Sequence, residues 1–151
     1  MSIRPEVLQE AEVIKYEGGE IPEVSFWNSY FYLTEAPPKG LGLNLTPEEV
    51  LILKKAVIER YLEIIKRDLS PENIDKPFYR GVGRAIINLK RLKAFANKEN
   101  LENDFKESLE KIKNWFKIFK TQKPDFQKRE QEELEKLLRS FYDRDNRLLS
   151  R

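Results

Sequence analysis

Between Asp75 and Glu99 the chain carries seven basic residues, Lys76, Arg80, Arg84, Lys90, Arg91, Lys93 and Lys98, and no acidic one. A guanidinium presents a planar fork of N–H donors that fits two phosphate oxygens, so this row suits a polyanion such as RNA or DNA. Arg80, Arg84 and Arg91 are spaced 4 and 7 apart, which on a helix gives them similar angles, and Lys76 opens the run. Surfaces usually mix both signs, so an acid-free run is informative. The competing reading is a solvated face, or one that pairs with Glu59, Glu63 and Asp68.

A second acid-free row follows from Lys111 to Pro124, where Lys113, Lys117 and Lys120 share a side and Trp115 and Phe116 intervene. An exposed Trp among lysines can stack on a base of a single strand. It also suits a membrane surface or a protein contact, and the bland alternative is a core anchor. Arg80-Gly81-Val82-Gly83-Arg84 resembles a phosphate-cradling turn only superficially, because it lacks the Walker spacing and lysine. A helix starting one turn later would still offer free N–H groups and two arginines to a phosphate.

Enzymatic chemistry has few carriers here. With no cysteine and no histidine, thiolate chemistry, disulfides, Cys-based zinc sites and imidazole general bases are all excluded. The acids are scattered, as Glu59 with Glu63 or Glu99, Glu102 and Asp104, and form no inward cluster for magnesium. The expectation is a non-catalytic protein with no cofactor and no metal.

A third feature is the aromatic block Phe26, Trp27, Tyr30, Phe31 and Tyr32. As core it closes one end of a bundle; as surface it is an anchor patch for a protein partner. Five such rings cannot all face one side of a short helix. Phe26, Trp27 and Phe31 are expected inside, with Tyr30 or Tyr32 outside. On the surface reading, Trp27, Tyr30, Tyr32 and Trp115 are the candidate protein-contact residues.

These side chains need helices to position them. Thr46 can cap a helix that has Pro47 in its first turn, and Glu49 completes a capping box; the helix should run over 47–69. Further helices are expected at 77–96, on a Phe78-Val82-Ala85-Leu89-Leu92-Ala96 seam, at 101–120 and at 125–142. Gly81 and Gly83 then fall inside a helix, each costing about 1 kcal/mol relative to Ala. Residues 24–33 read as a short helix and 36–42 as a Pro/Gly loop. Residues 5–16 read as a helix or, across Gly18-Gly19, as part of a small hairpin. The fold class is all-α: a compact bundle of about five helices in a single domain. Residues 1–45 form a layer on the 46–142 bundle, and 143–151 is a charged, frayed tail in which Leu148-Leu149 could dock.

The net charge of +2 hides a division: residues 1–75 hold 8 Lys/Arg against 14 Asp/Glu, and 76–151 hold 20 against 12. Such asymmetry favours oriented docking, including head-to-tail contact between copies. No apolar run approaches the roughly 20 residues that cross a bilayer, so a soluble, cytoplasmic protein is expected. High Lys and Glu with no Cys fit a heat-adapted source. The leading expectation is a nucleic-acid-contacting subunit that reads the phosphate backbone through Arg80, Arg84, Arg91, Lys76, Lys113, Lys117 and Lys120. The alternative is a protein-interaction or structural subunit that uses its charge asymmetry.

Overall fold

A computed structural model describes residues 2–142, so the expected tail and the Leu148-Leu149 contact lie outside the described residues. Every regular element among them is a helix: α1 (Pro5–Glu12), α2 (Pro22–Thr34), α3 (Pro47–Asp68), α4 (Val82–Lys98), α5 (Glu102–Gln122) and α6 (Lys128–Ser140). A π-helical turn at Val13–Glu17 follows α1, and a 3-10 turn at Pro71–Asn73 follows α3. The chain is all-α, as the periodicity implied. It divides into two compact units, one ending at Tyr61 and the other beginning at Leu62, so the division falls within α3.

In the first unit, Pro5 opens α1 from an extended Arg4, and Val7, Ala11 and Ile14 are buried. The chain stays helical to Glu17, which removes the hairpin alternative. Its apolar residues recur at helical spacing, and a lone two-strand ribbon is marginal in water. The capping box at α3 forms as expected. Thr46 N–H donates to the Glu49 carboxylate at 3.0 Å and Glu49 N–H donates to Thr46 Oγ1 at 3.1 Å. A distant residue completes it: Arg4 donates its backbone N–H, Nε and a terminal nitrogen to the same carboxylate, at 3.1, 2.9 and 2.7 Å. The Tyr61 hydroxyl, fully buried, donates to Glu23 on α2.

In the second unit, α4 begins five residues later than 77. Gly81 has φ +99°, a conformation that L side chains avoid, so it stands before the helix as its N-cap residue. The seam therefore starts at Val82 and continues through Ala85, Leu89, Leu92 and Ala96, while Phe78 is 47% exposed in the connecting turns. Of the two glycines, only Gly83 is helical. The last helix starts at Lys128, because residues 124–127 form a turn in which Gln127 has φ +45°. That Gln127 accepts Val82 N–H on Oε1 at 2.8 Å, so the turn before α6 caps the start of α4. Gln131, buried on α6, donates to the carbonyls of Lys123 and Phe126 and closes the same turn. The core is built from Ile86, Leu89, Leu92, Phe105, Leu109, Ile112, Phe116, Phe119, Leu134 and Phe141.

Candidate interaction surfaces

The helix start at Val82 divides the expected arginine row. Arg84 and Arg91 both lie on α4, a two-turn spacing that gives them one side of the helix, and both are exposed. Arg80 precedes Gly81, and Lys76 lies in the 74–78 turns, so helical periodicity does not align either with the other two. Among the described residues, none of the Arg80, Arg84 and Arg91 side chains forms an ion pair. Asp68 is buried and accepts the backbone N–H of Arg80 at 3.0 Å, not its guanidinium. An internal carboxylate thus sits where the glycine turn could have met a phosphate, and the first free N–H of α4 is taken by Gln127. Burial, with the Asp68 charge as a smaller cause, pushes the Tyr79 hydroxyl up to about 12.

The solvent arc of α4 is more than a basic stripe. Ile87 (42% exposed) and Ala94, two turns apart, run between Arg84, Arg91 and Lys98 on one edge and Lys90 on the other. Lys93 turns away and lies over the rings of Phe105 and Phe141, at 5.5 and 5.4 Å from their centres.

The lysines of α5 do come together, in an open groove between α5 and α6 with a volume of about 830 Å³. Glu110, Glu135 and Arg139 share that groove with Lys113, Lys117 and Lys120. Lys120 donates to Glu135 at 2.7 Å, and this hydrogen bond holds the Glu135 carboxyl below its usual range. Lys113 lies 4.4 Å from the centre of the Tyr142 ring and 3.9 Å from Glu110. The Tyr142 hydroxyl donates to Glu110 and is pushed up to about 12, mainly by burial and then by the Glu110 charge. Two of the three lysines therefore already have internal partners. Trp115 is half-buried with the Lys66 ammonium 5.8 Å from its centre. Ile118 is 52% exposed, so the apolar arc of α5 is narrower than its sequence suggests.

The aromatic block departs furthest from expectation. Helix α2 buries Pro22, Phe26, Ser29 and Leu33, a seam spaced 4, 3 and 4. Trp27 and Phe31 fall on the other side and are each 49% exposed, as is Val24 at 53%. Their rings stack with centres 5.6 Å apart, and Tyr30, only partly exposed, meets both rings edge-on. Tyr32 is 47% exposed. Only Phe26 of the three rings expected inside is buried. The signal was present in the sequence: a small Ser29 and a capping Pro22 continue the Phe26–Leu33 seam, whereas hydrophobicity alone favours Trp27 and Phe31. The residues missed by sequence reasoning are accordingly Val24, Phe31 and Ile87 at the surface, and Gln127 as a cap.

Among the described residues no helix is long and apolar enough to cross a membrane. The fold and its surfaces define an all-helical protein with an exposed aromatic helix face in one unit and a cationic helix face in the other. The chain belongs to the family described as a repeat of unknown function (DUF7826), which it matches over residues 3–141. No curated protein and no solved structure matches it.

Proposed function

We propose that this chain is a non-catalytic protein-interaction module that docks through the aromatic face of α2. The observation that carries this reading is the stripe Val24, Trp27 and Phe31, half-exposed on the side of α2 opposite its buried seam. A fully buried aromatic removes roughly 150–250 Å² from water. Two half-exposed rings therefore leave an apolar area that a solvated helix has no reason to carry, and Trp and Tyr dominate the energetics of interfaces. The family's description as a repeat fits a unit that works beside others. Its matched length far exceeds the roughly 20–45 residues of solenoid repeats, so copies would meet as folded domains. A photo-crosslinking amino acid at Tyr32, introduced in the source cells, tests the reading. A discrete protein adduct that Trp27→Ser abolishes supports it, and the absence of any adduct overturns it.

A phosphate-backbone role for Arg84 and Arg91, with Arg80 and Lys76 nearby, is favoured by one observation: these cations are exposed and none has an ion-pair partner among the described residues. Lys113, Lys117 and Lys120 add less to such a track, since Glu110 and Glu135 share their groove. Oligonucleotide binding that falls log-linearly with salt, and weakens in the Arg84→Glu/Arg91→Glu double variant, is the expected result. Absence of binding at low salt discards this second reading.

A further inference from the structure

We infer that the partner of the α2 aromatic face is a second copy of this chain, which presents the solvent arc of its α4 in a head-to-tail contact. This rests on the reading of α2 as a docking face and names its occupant.

The two surfaces complement each other in shape and charge. Val24 to Phe31 on α2 and Ile87 to Ala94 on α4 each span seven residues, roughly 10 Å of helix. The first is an aromatic stripe carried by a strongly acidic stretch: residues 2–36 hold seven Glu, no Asp and only two basic residues, Arg4 and Lys15. The second is a narrow apolar strip flanked by cations, on a helix with no acidic residue. Apolar strip against aromatic stripe would bury the exposed area of both. Arg84 and Arg91 would lie beside the stripe, within reach of the solvent-facing ring faces of Trp27 and Phe31, on which a guanidinium stacks favourably.

Charge also selects among the self-contacts. Placing α2 on α2 would gather two acidic stretches, and placing α4 on α4 would gather two cationic arcs; like charges across an interface are costly. The heterologous pairing alone brings opposite signs together. Because it uses a different surface on each copy, it leaves one of each kind free after every addition. Assembly then continues beyond a dimer unless the geometry closes a ring.

Complementation between two half-defective variants tests this. Variant one is Trp27→Ser/Phe31→Ser, which loses the aromatic stripe; variant two is Arg84→Glu/Arg91→Glu, which loses the cationic arc. All substituted positions are exposed, and circular dichroism selects only preparations with wild-type helicity. Sedimentation velocity over a concentration series at low and at moderate salt should show the wild-type chain associating beyond a dimer, more weakly as salt rises. Each variant alone should have its dissociation constant raised tenfold or more. Their equimolar mixture should form a heterodimer that stops at two chains, because variant two supplies the only stripe and variant one the only arc. A wild-type chain that stays monomeric throughout overturns the proposal. So does a mixture that associates no better than its parts, or an oligonucleotide that binds the arc while self-association survives in variant two. If the Tyr32 crosslink still captures a different protein, docking through α2 stands and only the identity of its occupant falls.

Discussion

Glu49 shows how much one side chain can organise. It is 1% exposed, yet it remains charged because four nitrogens donate to it: the box partner Thr46 N–H, and the backbone N–H, Nε and a terminal nitrogen of Arg4. Hydrogen bonding to Arg4, then to Thr46, holds its pKa down to about 2 from an ordinary 4.5. A depressed carboxylate stabilises the fold above its unfolded pKa, and that contribution is lost as pH falls through the folded one. Glu49→Gln should thus lower the melting temperature at neutral pH, with the gap to wild type closing between about pH 4.5 and pH 2. Thermal melts across that range check it, and a gap that persists at pH 2 contradicts it. Thr46→Ala removes one arm of the box and should cost about 1 kcal/mol in urea titrations. At Gly81, φ +99° and a Gln127 side chain 3.0 Å from where a Cβ would stand make Gly81→Ala unfavourable by about 1–3 kcal/mol. Gln127→Ala, which uncaps Val82, should cost about 1 kcal/mol.

Helices α2 and α4 each place a conflict between composition and position. On α2, the seam is Pro22-Phe26-Ser29-Leu33, so the two largest aromatics are left half in water. Truncating either should cost clearly less than truncating a fully buried ring, because only its covered half and its ring contacts are lost. On α4 the conflict is reversed: Asn88 is 1% exposed, and neither its amide nitrogen nor its oxygen finds a hydrogen-bond partner among the described residues. Leaving a buried amide unbonded costs roughly 1–3 kcal/mol, whereas an apolar group of similar shape removes that penalty. Asn88→Leu should therefore leave the chain as stable or more stable by urea unfolding; a loss above about 1 kcal/mol would show that the amide is bonded after all.

For the chain as a whole, the near-zero net charge is a sum of two sequence halves of opposite sign, with the acids weighted to residues 1–75 and the cations to 76–151. A protein of this kind responds to ionic strength in association more than in folding, since exposed charges are screened beyond roughly 10 Å at 0.1 M salt. Raising salt from 50 to 500 mM should weaken self-association while shifting the melting temperature little. The Lys120–Glu135 pair is itself about 40% exposed on each side, so its loss in Lys120→Ala is expected to be worth under about 1 kcal/mol. Light scattering and calorimetry on the same samples separate the two responses.

Local chemistry was legible wherever neighbours along the chain decide the outcome. The capping box at Thr46 and Glu49, the proline starts of α1 and α3, the helical class and the division of charge all follow from short-range spacing. The start of α4 was not legible: a Phe78–Val82 seam and a Gly81 N-cap residue are both compatible with the sequence, and Gln127, 45 positions away, provides the cap. Which aromatics of α2 turn inward was legible only in the Pro22-Phe26-Ser29-Leu33 spacing, since hydrophobicity ranks Trp27 and Phe31 with Phe26. No such signal showed that the α5 lysines share a groove with Glu110 and Glu135. Helical period and caps are set within a few residues, so the amino-acid order alone determined an all-helical, charge-divided chain. Which face of each helix meets water depends on partners far along the chain, so only the tertiary structure could expose the aromatic stripe and bare the arc of Arg84 and Arg91.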